Sequence, residues 1–279
     1  MKSEAKNKFF KFNDDILETE DTRIFKKIDK ASVYEVIRIM DGVPLFLDDH
    51  LDRMFKSARI IDYNIPYDHS QIKASIGDVI RENGVKNQNI KLLASHIENE
   101  SVFLVYLVDS FYPPKKYYEN GIKTILFEHE RDNPNAKVQR DEFRNKVKEE
   151  LEKKDAFEAL LINKDGFIPE GSRSNMFFVM DNKIYTGPSN EVLLGITRKY
   201  IFSLAEILNI DIIEESIHRD HLSKLEGGFM SGSSVGVLPI TRIDNMIIES
   251  TENEIINTLS EAYNNLVEQS IKDNRSYWE

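Results

Sequence analysis

No cysteine occurs in the 279 residues, which rules out disulfides, a thiolate nucleophile and any cysteine-ligated metal. Nowhere do eighteen or so apolar residues run together, so no stretch suits a membrane span. The first residues, Met1 to Lys8, precede no apolar run of signal-peptide length, and a soluble cytoplasmic protein is expected. Basic charge is short as well. Against 48 Asp and Glu stand 37 Lys and Arg, a formal net charge of −11, which argues against a nucleic-acid partner because phosphate contacts need clustered cations. There is no internal repeat, no Walker lysine and no G-x-G-x-x-G, and His50 has no second histidine at ligand spacing to hold a metal. What is present is the composition of a folded globular protein, 41% hydrophobic and 30% charged, long enough for one large domain or two ordinary ones.

Residues 1–30 are polar and broken, compatible with an edge hairpin. From Ser32 the pattern sharpens. Ser32–Met40 reads as a strand, Asp41-Gly42 as a turn and Pro44–Leu47 as a returning strand. On the first strand Tyr34, Val36 and Arg38 share a face by the period of two; an Arg and a Tyr so placed are surface decoration or a grip for an acid. A helix is expected from Asp48, with Leu51, Met54, Phe55 and Ala58 as its apolar stripe. Arg53 lies about 200° round the helix from Leu51, away from that stripe. A second helix over 69–83 leads to strands Ile90–Ala94 and Val102–Val108. The stretch Phe111 to Lys116, stiffened by Pro113 and Pro114, marks a boundary, giving an N-terminal α/β domain (1–114) and a C-terminal domain (115–279).

The second half opens on strand Ile122–Glu128. After it Asn133-Pro134-Asn135 fixes a turn, with Lys137 two residues on, ahead of a charged helix striped by Phe143, Val147 and Leu151. A lysine there is either exposed or held in a dry pocket, where its lowered pKa would let the neutral amine attack a carbonyl. Two apolar runs, Ala159–Ile162 and Met176–Val179, flank the polar turn Glu170-Gly171-Ser172-Arg173-Ser174-Asn175. As a hairpin tip the turn would be solvated; at the rim of buried strands Glu170 would need a cationic or hydrogen-bonding partner. Gly195 and Thr197 open a further helix striped by Ile201, Leu204, Ala205 and Leu208. A helix start leaves backbone N–H groups that can hold a phosphate, although Thr197 would serve equally as a plain N-cap. Finally, Gly232–Gly236 matches G-x-S-x-G, but the nucleophile elbow of serine hydrolases needs a helix straight after the serine. Val235–Ile240 is strand-like, so a small-residue turn facing a phosphate fits better.

A lysine by a turn, a glutamate between strands, an arginine off the core and two phosphate-suited turns together suit a pyridoxal phosphate enzyme. The chain resembles the class IV aminotransferases, fold-type IV pyridoxal phosphate enzymes that include branched-chain and D-amino acid aminotransferases and aminodeoxychorismate lyases. The motifs run in order: Val33-Tyr34-Glu35, His50-Leu51-Asp52-Arg53, Glu158-Ala159-Leu160-Leu161, Glu170-Gly171-Ser172-x-Ser174-Asn175, Leu194-Gly195-Ile196-Thr197-Arg198 and Ser231-Gly232-Ser233-Ser234. The resemblance implies an α/β fold of two domains, the C-terminal one a pseudo-barrel, acting as a homodimer with its site near the subunit interface. It implies that Lys137 holds pyridoxal 5'-phosphate as a Schiff base and that Glu170 pairs with the pyridine nitrogen. Arg53, Ile196, Thr197, Gly232 and Ser233 would hold the phosphate, and Tyr34, Arg38 and Ser234 would line the substrate site. The activity implied is amino transfer between an amino acid and a 2-oxo acid, branched-chain first and D-amino acid second, with the pyruvate-releasing lyase as the alternative. Two departures stand out. Glu142 occupies a position, five after the lysine, that is aromatic in some members. No arginine occurs among Lys91 to His96, where members with a carboxylate trap carry one.

Overall fold

The computed structural model describes residues 4–20, 23–29, 32–129, 135, 137 and 141–278. They fall into two compact units, one taking the chain up to Phe111, the segment around Lys137 and the residues from Val267 on, the other Tyr112–Asn135 and Asp141–Leu266. The expected halves, 1–114 and 115–279, place Lys137 and the chain end in the second; both belong to the first unit. Backbone hydrogen bonds tie Lys137 there, while Arg275 reaches Asp41 at 3.6 Å and Trp278 packs on the first unit's core.

In the first unit β1 (Lys6–Phe12) and β2 (Asp15–Glu18) form the edge hairpin. A short helix α1 (Arg23–Lys27), β3 (Val33–Met40) and β4 (Val43–Pro44) follow. Then come helices α2 (Leu47–Ile60) and α3 (His69–Asn83) and strands β5 (Gln88–Ile97) and β6 (Glu100–Val108). The sheet runs β2-β1-β6-β5-β3-β4, its neighbouring strands antiparallel. Strand parity sorts its two faces. Val33, Ile37, Ile39, Ile90, Leu92 and Val105 pack with Leu51, Met54 and Ala58 of α2 and Ile72 and Ile76 of α3. Tyr34, Leu93, Leu104 and Tyr106 pack with Phe10 and Phe25 on the opposite face. Asp48 does not cap α2. The helix starts at Leu47 behind Phe46 (φ +52°), and Asp48 and Asp49 lie in its first turn, where carboxylates favour the helix dipole.

In the second unit a short helix α4 (Lys115–Asn120) precedes β7 (Ile122–Glu128), α5 (Asp141–Lys154), β8 (Glu158–Ile162) and β9 (Phe167–Ile168). Next are β10 (Asn175–Met180), β11 (Lys183–Thr186), α6 (Ile196–Ile207), β12 (Ile212–Glu214) and β13 (Ile217–His218). The chain closes with β14 (Gly227–Gly232), β15 (Gly236–Ile243), β16 (Met246–Ile247) and α7 (Glu254–Trp278), whose residues from Val267 on belong to the first unit. Strands run β12-β11-β10-β14-β15-β7-β8, with parallel pairs at β11–β12, β7–β15 and β7–β8. Among the described residues no helix is long and apolar enough to cross a membrane.

Candidate active site

In the first unit two elements, α2 and β3, hold Lys137. Its N–H donates to Ser57 Oγ of α2 at 3.3 Å, and its carbonyl accepts from Tyr34 N–H of β3 at 3.3 Å. Its Nζ stands 5.0 Å from the centre of the Tyr34 ring, close enough for a cation–π attraction. The Asn133-Pro134 part of the expected turn lies outside the described residues. A second ammonium shares that ring. Lys91 Nζ, on a side chain only 3% exposed and paired with Glu4, lies 5.1 Å from it. Arg38 follows Tyr34 on this face, half-buried and opposite Asn89. His96 has the other parity. It meets Tyr63 edge-on at 4.7 Å beneath the helices, so it does not stand beside Tyr34.

Arg53 is not on a solvated face. It reaches β3, where Nε and Nη2 donate to the two oxygens of Glu35 at 2.7 and 2.6 Å. His50, three residues earlier on the same flank, meets Glu35 Oε2 through Nδ1 at 2.8 Å. Glu35 has the core parity of Val33 and Ile37 and is fully buried. Burial by itself would raise its pKa; the charge of Arg53 and the hydrogen bonds from Arg53 and His50 outweigh that and hold it at about 2. Burial pushes the His50 pKa down, Glu35 pulls it back up, and the charges of Arg53 and Lys137 lower it again, for a net decrease. A neutral imidazole facing a carboxylate must donate from Nδ1.

In the second unit the Glu170 turn is buried except at Arg173. Glu170 is 3% exposed, bridges to Asn175, and accepts from Leu193 N–H at 3.2 Å. Beneath it Glu158, 1% exposed, accepts from Ala159 N–H at 2.8 Å and from the hydroxyls of Ser172 and Ser174. A Cβ at Gly171 would overlap the Met176 methyl and the Ser174 hydroxyl, so a larger residue there would displace one of the serines that hold Glu158. Thr197 is not an N-cap either. Gly195 holds that position with no side-chain cap bond, and Ile196 and Thr197 lie in the first turn of α6. The Gly232 turn joins β14 to β15, with Ser233 and Ser234 half-buried and Gly232 paired with Gly236. A strand, not a helix, follows Ser234, so the nucleophile-elbow geometry is not formed.

The family model described as amino-transferase class IV matches residues 32–243. The chain belongs to the class IV aminotransferase family. It is 29% identical over 232 residues to a D-alanine aminotransferase of Bacillus licheniformis, covering 78% of this chain and 81% of that one. To a probable branched-chain-amino-acid aminotransferase of Rickettsia felis it is 27% identical over 253 residues, with 86% and 87% covered. Its fold matches a T.th. branched-chain amino acid aminotransferase complexed with N-(5'-phosphopyridoxyl)-L-glutamate at a TM-score of 0.82 and 25% identity, over 95% and 96% of the two chains. The protein is a fold-type IV aminotransferase that uses pyridoxal phosphate.

The second unit fits that cofactor's phosphate. Gly195 leaves the N–H groups at the start of α6 without a side-chain cap, and a Cβ there would overlap Asn175 Oδ1. Asn175 pairs across the sheet with Ser231, whose Oγ is buried and makes no hydrogen bond among the described residues. Such a hydroxyl costs stability unless a ligand or water accepts from it. Ser231, Glu35 and the pair Ser172 and Ser174 escaped the sequence reading as functional side chains. Glu35 alone left a signal there, a charge at a core-parity position of an apolar strand. Glu142, the departure after the lysine, is exposed on α5.

Proposed function

We propose that this aminotransferase moves an amino group between a branched-chain amino acid and a 2-oxo acid, as a cytoplasmic homodimer with its site near the subunit interface. The observation that carries the site assignment is Lys137, pinned by its backbone to α2 and β3 with its amine over Tyr34. Bound, pyridoxal phosphate supplies a ring that withdraws electrons from the substrate α-carbon. Lys137 Nζ takes the α-proton and returns it as general base and acid. Glu170, a buried carboxylate, keeps the pyridine nitrogen protonated, and that cation offsets its desolvation. Ile196, Thr197, Gly232 and Ser233 would hold the phosphate, a role that the resemblance also gives to Arg53, whose guanidinium is oriented by Glu35. Tyr34, Arg38 and Ser234 line the substrate side; Lys91, whose Nζ lies 5.1 Å from the Tyr34 ring, offers a cation on the strand that lacks an arginine.

A branched-chain substrate is supported by the relatives bearing that name and by the apolar neighbours of Tyr34, Val36 and Leu93. The D-alanine aminotransferase relative supports D-amino acids as the second reading. The lyase reading is not favoured, since the relatives above are named as aminotransferases. A panel of L- and D-amino acids with 2-oxoglutarate or pyruvate decides. L-Leucine, L-isoleucine and L-valine should exceed D-alanine by at least about tenfold in kcat/KM, the scale on which apolar pockets discriminate. The opposite order replaces the substrate with a D-amino acid. An unaltered cofactor absorbance in Lys137→Ala would remove that lysine from its role.

A further inference from the structure

One side chain outside every motif above touches both turns that the proposed function gives to the phosphate. Tyr263, on α7 and 4% exposed, places its hydroxyl 3.3 Å from Thr197 Oγ1 in the first turn of α6. Its ring edge also lies against the Gly232–Gly236 turn. A Cβ on Gly236 would stand 3.2 Å from Tyr263 Cε1, and Gly236 has φ +62°. That turn is braced a second time, by Tyr118 of α4, whose hydroxyl donates to Val235 O at 2.8 Å.

We propose that Tyr263 is a positioning residue for phosphate recognition, one that orients the Thr197 hydroxyl as a donor and keeps the two turns in register. The proposal rests on the phosphate role given to Thr197 above. The reasoning is a proton inventory. A hydroxyl has one hydrogen to donate, and a phosphate dianion only accepts. For Thr197 to donate to phosphate, it must accept from Tyr263, so the direction of the pair is set. The run is Tyr263 O–H to Thr197 Oγ1, then Thr197 O–H to phosphate oxygen. Thr197 is 2% exposed, so bulk water does not take over the role of Tyr263.

The test compares equilibrium binding of pyridoxal phosphate with that of pyridoxal, which lacks the phosphate, in the full-length protein. Tyr263→Phe keeps the ring against Gly236 and removes only the hydroxyl. It should weaken pyridoxal phosphate about tenfold, the scale of one hydrogen bond to a charged group, and leave pyridoxal within about twofold. Thr197→Val should produce the same selective loss, and the double variant should bind no more weakly than Thr197→Val alone. Equal weakening of both ligands, or additive losses in the double variant, overturns the positioning role. Wild-type protein that binds the two ligands alike overturns the phosphate reading and the proposal with it. If Tyr263→Phe does not fold, Tyr263 is structural and the proposal fails.

Discussion

The two units bury carboxylates by different chemistry. In the first, Glu35 is held by a cation, two N–H donors of Arg53 and the ring of His50, so its charge is cancelled by the chain. In the second, Glu158 is held by neutral donors, a backbone N–H and two serine hydroxyls, and Glu170 accepts from a backbone N–H. The charge of Arg198, itself bound to Glu214 at 2.9 Å and to Gly187 O at 3.0 Å, also acts on Glu170. An anion cancelled internally serves architecture. A buried carboxylate suits a protonated pyridine nitrogen, the partner proposed for Glu170, because each charge offsets the desolvation of the other.

The contrast can be broken by turning each carboxylate into its amide. Glu35→Gln leaves the buried guanidinium of Arg53 without its counter-charge and should destabilise the protein by about 3–5 kcal/mol in urea titrations; a loss under about 1 kcal/mol would show that the pair is not the architectural element claimed. The acid limb sharpens the same point. Glu35 drops from an ordinary 4.5 to about 2 on folding, so its contribution is present above pH 4.5 and lost as pH falls through that window. On linkage this is worth on the order of 3 kcal/mol. The difference in stability between wild type and Glu35→Gln should therefore shrink between pH 4.5 and pH 2, and a constant difference would contradict the ion pairing.

Glu170→Gln probes the other side. It should lower kcat about a hundredfold or more, as loss of an electrostatic partner in an active site does, while costing under about 1 kcal/mol of stability; unchanged turnover would remove Glu170 from the pyridine nitrogen. The smallest effect is expected at Glu158→Gln. The carboxamide oxygen still accepts from one serine hydroxyl and its NH2 donates to the other, so about 1–2 kcal/mol should be lost with kcat within about threefold of wild type. A larger loss of turnover would make Glu158 part of the chemistry rather than the support of the Glu170 turn.

Much of the frame was legible without coordinates. Alternation and short apolar runs placed β3, β5, β6, β7, β8 and β10, and the helical period placed the stripes of α2 and α6, because burial of strand and helix faces is written into local sequence. Motif order pointed to the family, since the turns at Glu170, Gly195 and Gly232 carry their chemistry in local sequence. The N-terminal hairpin was only suspected, and α7, whose middle supplies Tyr263, was not read.

What the sequence by itself determined is the set of residue types able to carry the chemistry: a lysine near a turn, a glutamate between strands, glycine and hydroxyl residues at helix and strand ends. What only the tertiary structure decided is their partners. Arg53 bonds Glu35 across 18 positions of chain, and Tyr263 meets Thr197 across 66. Lys91 and not His96 shares the ring of Tyr34, and Glu170 is buried. Periodicity fixes which way a side chain leaves its own element. It carries no information about which distant group waits there, and the charge balance of a buried site is set by that meeting.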